Sequence, residues 1–118
     1  MIAHVVLYEL RPDLSLTQRE AFNHALETAL AAIPYIRRSC FGRRRSFGFG
    51  YERAMATTYE YFALLEFDNA DLLEQYLEHD AHHTLATLFW ASTARTLVFD
   101  YEVADDVAAA LAEWARTP

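Results

Sequence analysis

An α+β fold in the order β-α-β-β-α-β is predicted by three observations. The hydrophobic pattern alternates every second residue, changes to a helical period, and returns, twice over. Each helical stretch carries its apolar residues on one stripe, so it covers one surface only. The strands are apolar on both faces, so a single layer of helices leaves one face of their sheet uncovered.

Residues 2–10 read as the first strand. Ile2, His4, Val6, Tyr8 and Leu10 point one way, and Ala3, Val5, Leu7 and Glu9 the other. Arg11-Pro12-Asp13 breaks it. Thr17 or Ser15 caps the first helix, with Glu20 or Gln18 completing a capping box. Phe22, Ala25, Leu26, Ala29, Leu30 and Ile33 form its stripe, and Pro34 ends it. Residues 35–42 make a weaker strand around Ile36, Cys40 and Phe41. Gly42 to Ala56 reads as a polar, arginine-rich loop or irregular hairpin. Thr57 to Phe67 is a strand with Tyr59, Tyr61, Ala63, Leu65 and Phe67 on one face and Phe62 and Leu64 on the other. Asp68 or Asn69 caps the next helix, whose stripe is Leu72, Leu73, Tyr76 and Leu77. A second helical segment runs from Asp80 to about Ala91. Residues 95–103 form the last strand, and Asp105 to Arg116 a short helix with Val107, Leu111 and Trp114 in line. The resulting division is a barrel-type domain over 1–103 and a helical extension over 104–118.

This order is the split βαβ, or ferredoxin-like, arrangement. Its uncovered face carries Val5, Leu7, Phe62, Leu64 and, from the last strand, Phe99 or its neighbours. A second copy's sheet would cover it and give a homodimer, a dimeric α+β barrel. The alternative is a monomer in which the terminal helix covers the sheet with three apolar residues.

The chain has 118 residues, enough for one domain, and 53% of them are hydrophobic. No apolar run approaches the ~18 residues that span a bilayer. The opening Met1-Ile2-Ala3-His4 lacks the form of a signal peptide. Cys40 is the single cysteine, which excludes an internal disulfide and a multi-thiolate zinc site. A cytoplasmic location, without membrane contact, is expected. The net charge of −7 argues against nucleic-acid binding. All ten cations are arginine, so lysine Schiff-base chemistry is excluded.

Chemistry concentrates in Tyr76-Leu77-Glu78-His79-Asp80-Ala81-His82-His83, where three of the five histidines fall. Histidine titrates nearest neutrality, so this cluster points to proton transfer or to a metal. On one unbroken helix Tyr76 and His82 would diverge by about 120°. A helix break with Asp80 as N-cap would bring both to one cavity. His79, His82 and His83 have metal-ligand spacing, but no HExxH pattern or carboxylate set accompanies them, so no metal is expected. The bland reading of His82 is a core histidine bonded to His4 or Tyr76. His24 is expected to face solvent. The arginines at 37, 38, 43, 44, 45 and 53 suit either a solvated loop or recognition of a carboxylate, a phosphopantetheine or an acidic carrier protein.

His79-Asp80-Ala81-His82, with Tyr76 before it and Leu97-Val98-Phe99-Asp100-Tyr101 after it, resembles the stress-responsive dimeric α/β-barrel (Dabb) family. The opening Ile2-Ala3-His4-Val5-Val6-Leu7-Tyr8 and the strand end Glu66-Phe67-Asp68 are similar to it too. The resemblance covers residues 1–102 and implies the dimeric barrel. It also implies that the face of His4 looks toward the helices, over a cavity lined by Val6, Tyr8, Phe22, Leu26, Tyr61, Ala63 and Leu65. Plant polyketide cyclases of this family, the olivetolic acid type, use a helix histidine as base, a tyrosine six residues earlier to hold a carbonyl, and a supporting first-strand histidine. His82, Tyr76 and His4 match those positions. The reading is a cofactor-independent enzyme abstracting a proton next to a carbonyl in a hydrophobic small molecule. A non-catalytic dimeric ligand-binding or stress-associated protein is the alternative. A cofactor-independent monooxygenase is the third.

Overall fold

The computed structural model describes residues 1–117. The elements are β1 (Ile2–Leu10), α1 (Leu16–Ala32), β2 (Arg38–Arg43), α2 (Gly50–Ala54), β3 (Tyr61–Phe67), α3 (Ala70–Glu78), α4 (Asp80–Ser92), β4 (Thr93–Glu102) and α5 (Val107–Arg116). The four strands form one sheet in the order β2-β3-β1-β4, with every neighbour antiparallel. This is the ferredoxin-like α+β fold, with two central strands and α1, α3 and α4 laid on one face.

The register decides which residues share that face. His4 stands opposite Leu65 on β3 and Asp100 on β4; Val6 stands opposite Ala63 and Val98; Tyr8 opposite Tyr61 and Thr96. Their neighbours along each strand point the other way. Under the helices, Ile33, Leu65, Phe67, Leu73 and Tyr76 form a buried cluster. Phe22 and Phe67 are fully buried.

Local chemistry fixes the helix ends. Ser15 caps α1 by accepting from the Gln18 amide at 3.1 Å, and the Gln18 side-chain Oε1 in turn accepts from the Ser15 amide at 2.8 Å. Ile33 is already extended, as a residue before proline prefers. Asn69 caps α3 through the Leu72 amide. The break between α3 and α4 falls where expected, but Asp80 is not the cap. His79 is at once the last cap of α3 and the first of α4, and its Nδ1 accepts from the Ala81 amide at 3.0 Å. An unprotonated imidazole nitrogen is an acceptor like a cap oxygen, which leaves Asp80 in the first turn.

Several expected boundaries shift, the last strand among them, with β4 at Thr93–Glu102 in place of 95–103. Pro34 and Tyr35 turn, so β2 starts at Arg38. Before Tyr61 the ladder to β1 runs out; one further bond links the Arg44 amide to the Glu60 carbonyl at 2.6 Å, so β3 is shorter than 57–67. The arginine-rich loop contains the short helix α2. The predicted extension 104–118 ends on Pro118, which lies outside the described residues; within them α5 leaves Val107, Leu111 and Trp114 exposed. The terminal helix does not cover the sheet.

Candidate functional site

A cavity of about 280 Å³ lies between the sheet and the helices. β1 contributes His4, Val6 and Tyr8 to its wall; β3 contributes Ala63 and Leu65; α1 contributes Leu26 and Leu30. Tyr76 and Leu77 enter from α3, and His82, Leu85, Ala86, Phe89 and Trp90 from α4. Phe41, Trp90 and Val98 are its exposed lining residues and mark where it meets solvent. The wall is mostly apolar with few polar groups, the usual character of a small-molecule site.

The structure brings His4, Tyr76 and His82 together. The rings of Tyr76 and His82 are 4.6 Å apart between centroids, and those of His4 and Tyr76 are 5.8 Å apart. The helix break makes this possible: Tyr76 sits in the last turns of α3 and His82 in the first turn of α4. His82 is half-buried, and its Nδ1 is buried without a hydrogen bond. Burial pushes its pKa below the usual 6.5, and the nearby His4 and His83 push the same way; the Leu77 carbonyl opposes them. His82 is therefore a neutral imidazole at neutral pH. Burial pushes the Tyr76 hydroxyl up to about 12, and does the same to Tyr8, with Tyr61 adding to the effect. Both tyrosines keep their protons and can donate them in hydrogen bonds.

His4 is held by a partner that sequence reasoning missed. Its Nδ1 lies 2.6 Å from Asp100 Oδ1, across the β1–β4 register. A carboxylate only accepts, so Nδ1 carries the hydrogen and Nε2 is left with a lone pair in the neutral ring. The pairing spans 96 positions, and its one sequence signal was a carboxylate within an otherwise apolar Leu97–Tyr101 run.

Of the expected lining residues, Val6, Tyr8, Leu26, Ala63 and Leu65 border the cavity. Phe22 and Tyr61 do not. Phe22 has no exposed surface and packs behind Tyr8 and Phe89, at centroid distances of 6.0 and 5.8 Å. Tyr61 stacks on Tyr8 at 5.3 Å, under the Arg43 guanidinium. The helical stripe placed Phe22 and the strand face placed Tyr61 on the correct side, but both lie beyond the wall, Phe22 behind Tyr8 and Phe89 and Tyr61 behind Tyr8. The aromatic α4 wall was missed, although Leu85–Phe89 and Ala86–Trp90 have the i, i+4 spacing of neighbours on a helix.

Among the described residues, no three histidine, cysteine or carboxylate side chains gather as a metal site. His79 spends Nδ1 on its cap and packs on Tyr35, and His83 and His24 are exposed. No helix among these residues is long and apolar enough to cross a membrane.

Residues 2–103 match the Stress responsive A/B Barrel Domain, Dabb. The chain belongs to the Dabb family. Solved structures agree on the fold of this Dabb chain. It is 21% identical to an Arabidopsis thaliana protein, with a TM-score of 0.74, over 90% of this chain and 98% of that one. It is 22% identical to a dimeric ferredoxin-like protein of unknown function from Thermobifida fusca, with a TM-score of 0.67, over 86% and 90%. It is 12% identical to the hydroxynitrile lyase of Passiflora edulis, with a TM-score of 0.73, over 89% and 94%. No curated protein matches the sequence.

Proposed function

We propose that this Dabb protein is a homodimeric, cofactor-independent enzyme that removes a proton next to a carbonyl of an apolar small molecule, as in an aldol-type cyclisation. His82 is the base, Tyr76 donates a hydrogen bond to the carbonyl, and His4, held by Asp100, supports them. The division into a barrel domain over 1–103 and an extension over 104–118 belongs to the same reading.

One observation carries it: a half-buried, neutral His82 with an unpartnered Nδ1 stands beside a buried tyrosine in an apolar cavity. A purely structural core histidine would have both ring nitrogens satisfied. As the proton leaves, charge grows on the carbonyl oxygen, and a hydrogen bond in a water-poor site stabilises that charge more than in water. The family resemblance to plant polyketide cyclases points the same way.

The homodimer rests on the second sheet face. Val5, Leu7, Phe62 and Leu64 are half-buried, and Phe99 and Tyr101 are 44% and 53% exposed. The Phe62 ring lies over Gly42, where any Cβ would collide with it, so this face is shaped flat. A contiguous apolar surface of this kind calls for a protein partner. The Thermobifida fusca relative, dimeric by its own description, supports the choice of a second copy.

The lining, apolar on most sides, also favours a ligand-binding protein without turnover. Deuterium exchange at the carbon between the carbonyls of a medium-chain β-keto thioester, followed by NMR, separates the two. The wild type accelerates exchange. His82→Ala loses about 10²-fold or more of it and Tyr76→Phe about tenfold, with the fold retained. Binding without acceleration by the wild type would establish the non-catalytic reading.

A further inference from the structure

Two exposed surfaces remain beyond the cavity and the sheet face, and they are opposite in character. The first is the loop from β2 into α2. Phe47, Phe49 and Tyr51 are 63%, 57% and 62% exposed. Their rings form a row, with centroids 6.3 Å apart for Phe47–Phe49 and 5.8 Å for Phe49–Tyr51. Glu52 Oε1 accepts from the Phe47 amide at 2.7 Å and holds the row in shape. Arg44, Arg45 and Arg53 flank it, and none of them forms an ion pair among the described residues, although five other arginines do. The Arg45 guanidinium lies 5.6 Å from the Phe47 ring centre.

The second surface is α5. Val107, Leu111 and Trp114 form one stripe, 70%, 58% and 50% exposed. Glu102, Asp105 and Asp106 precede the helix and Glu113 lies on it, with Arg116 as the only base among residues 102–117. A basic aromatic ridge and an acidic apolar helix are complementary in both charge and apolarity.

They do not meet within one subunit. Arg43, which opens the loop, stands opposite Tyr61, and Tyr61 opposite Tyr8. Glu102, which leads into α5, stands opposite Ile2. The surfaces therefore leave opposite ends of β1, about 20 Å apart along the strand. The sheet order β2-β3-β1-β4 also sets them at opposite edges, the ridge beside β2 and β3 and α5 beyond β4. The chain as a whole is extended, with a radius of gyration of 16.5 Å against about 13.5 Å for a compact chain of this length. A two-fold axis between face-to-face sheets, perpendicular to the line that joins those two corners, exchanges them and sets the helix of one subunit over the ridge of the other, twice.

We propose that α5 of each subunit docks through Val107, Leu111 and Trp114 on the Phe47–Phe49–Tyr51 ridge of its partner, with Arg44, Arg45 and Arg53 facing the helix acids. The proposal rests on the homodimer of the functional reading. It extends that assembly beyond the matched barrel, because α5 lies outside residues 2–103. The strap joins the sheet interface without a gap, since exposed Phe99, Tyr101 and Val103 lead along β4 into it.

Two cysteine variants in a Cys40→Ser background test it: Leu111→Cys on one tagged chain and Phe49→Cys on a differently tagged chain, co-expressed and treated with a short bis-maleimide. The control pairs Phe49→Cys with Thr28→Cys, exposed on α1. Sedimentation of the uncrosslinked protein is measured alongside. The proposal expects a dimer and at least tenfold more covalent heterodimer from the first pair than from the control. A dimer with no excess overturns the docking, leaves the homodimer standing, and frees the ridge for another partner such as an acidic carrier protein. A monomer at micromolar concentration overturns both.

Discussion

The two faces of β1 are built from alternate residues of one strand, yet they solve different problems. Ile2, His4, Val6 and Tyr8 look at helices of their own chain, and His4 and Tyr8 are buried. Val5 and Leu7 look outward with Phe62, Leu64 and Phe99, and the chain supplies no cover for them. The first face tolerates a cavity and two imidazoles because α1, α3 and α4 shield them from water. The second is flat and apolar, as the proposed dimer requires of a surface that a second copy covers. The covered face admits a few polar groups into a mostly apolar wall, and the outward face is apolar; in the proposed reading the first serves chemistry and the second assembly.

The comparison breaks most visibly through the core of the covered face. Phe22→Ala should cost about 3–5 kcal/mol of folding stability in urea denaturation, because Phe22 is fully enclosed by Tyr8, Phe89 and their neighbours. Loss below about 1 kcal/mol would mean that this face is loosely packed.

Leu64→Arg should act on the other face alone. In an isolated subunit the arginine reaches water, so circular dichroism should stay native. In the dimer it buries an unpaired charge, and the dissociation constant should rise roughly a hundredfold or more, about 3 kcal/mol, in analytical ultracentrifugation. A dimer of unchanged affinity would show that the cover lies elsewhere.

Asp100→Asn sharpens the account of the cavity at a smaller scale. It keeps the volume at 2.6 Å from His4 Nδ1 but removes the acceptor-only carboxylate, so the His4 tautomer is no longer fixed. We expect roughly a tenfold loss of proton-exchange rate with substrate affinity little changed. Equal loss from Tyr76→Phe and Asp100→Asn, without additivity in the double variant, would place both in one hydrogen-bonded unit.

How much of this was legible in the sequence varies with range. The α1 capping box and the Pro34 stop are local, and both stand where the residues put them. The bare apolar face was legible from period-two alternation on β1 and β3. The helix break was legible, but its cap was assigned to the aspartate because histidine seldom serves; the accepting lone pair of His79 decided otherwise. Phe22, through its helical stripe, and Tyr61, through strand alternation, were placed on the correct face at the wrong depth, since periodicity gives side and not distance. Asp100 was invisible as a partner because a strand register across 96 positions sets the contact. The sequence brought His4, Tyr76 and His82 forward through family likeness. Their meeting is a tertiary fact.

The protonation of His82 tests the central claim most directly. Its folded pKa is lowered by burial below the usual 6.5. Its contribution to stability is thus complete above about pH 6.5 and fades as the pH falls through the folded pKa. The working form of a base is the neutral one, so proton exchange should follow the same curve. Imidazole Cε1–H shifts of His82, assigned by comparison with His82→Ala and followed by NMR from pH 8 to pH 4, should titrate below 6.5, with the acid limb of the exchange rate at the same midpoint. Titration at or above 6.5, or a rate that ignores the His82 midpoint, would contradict the account.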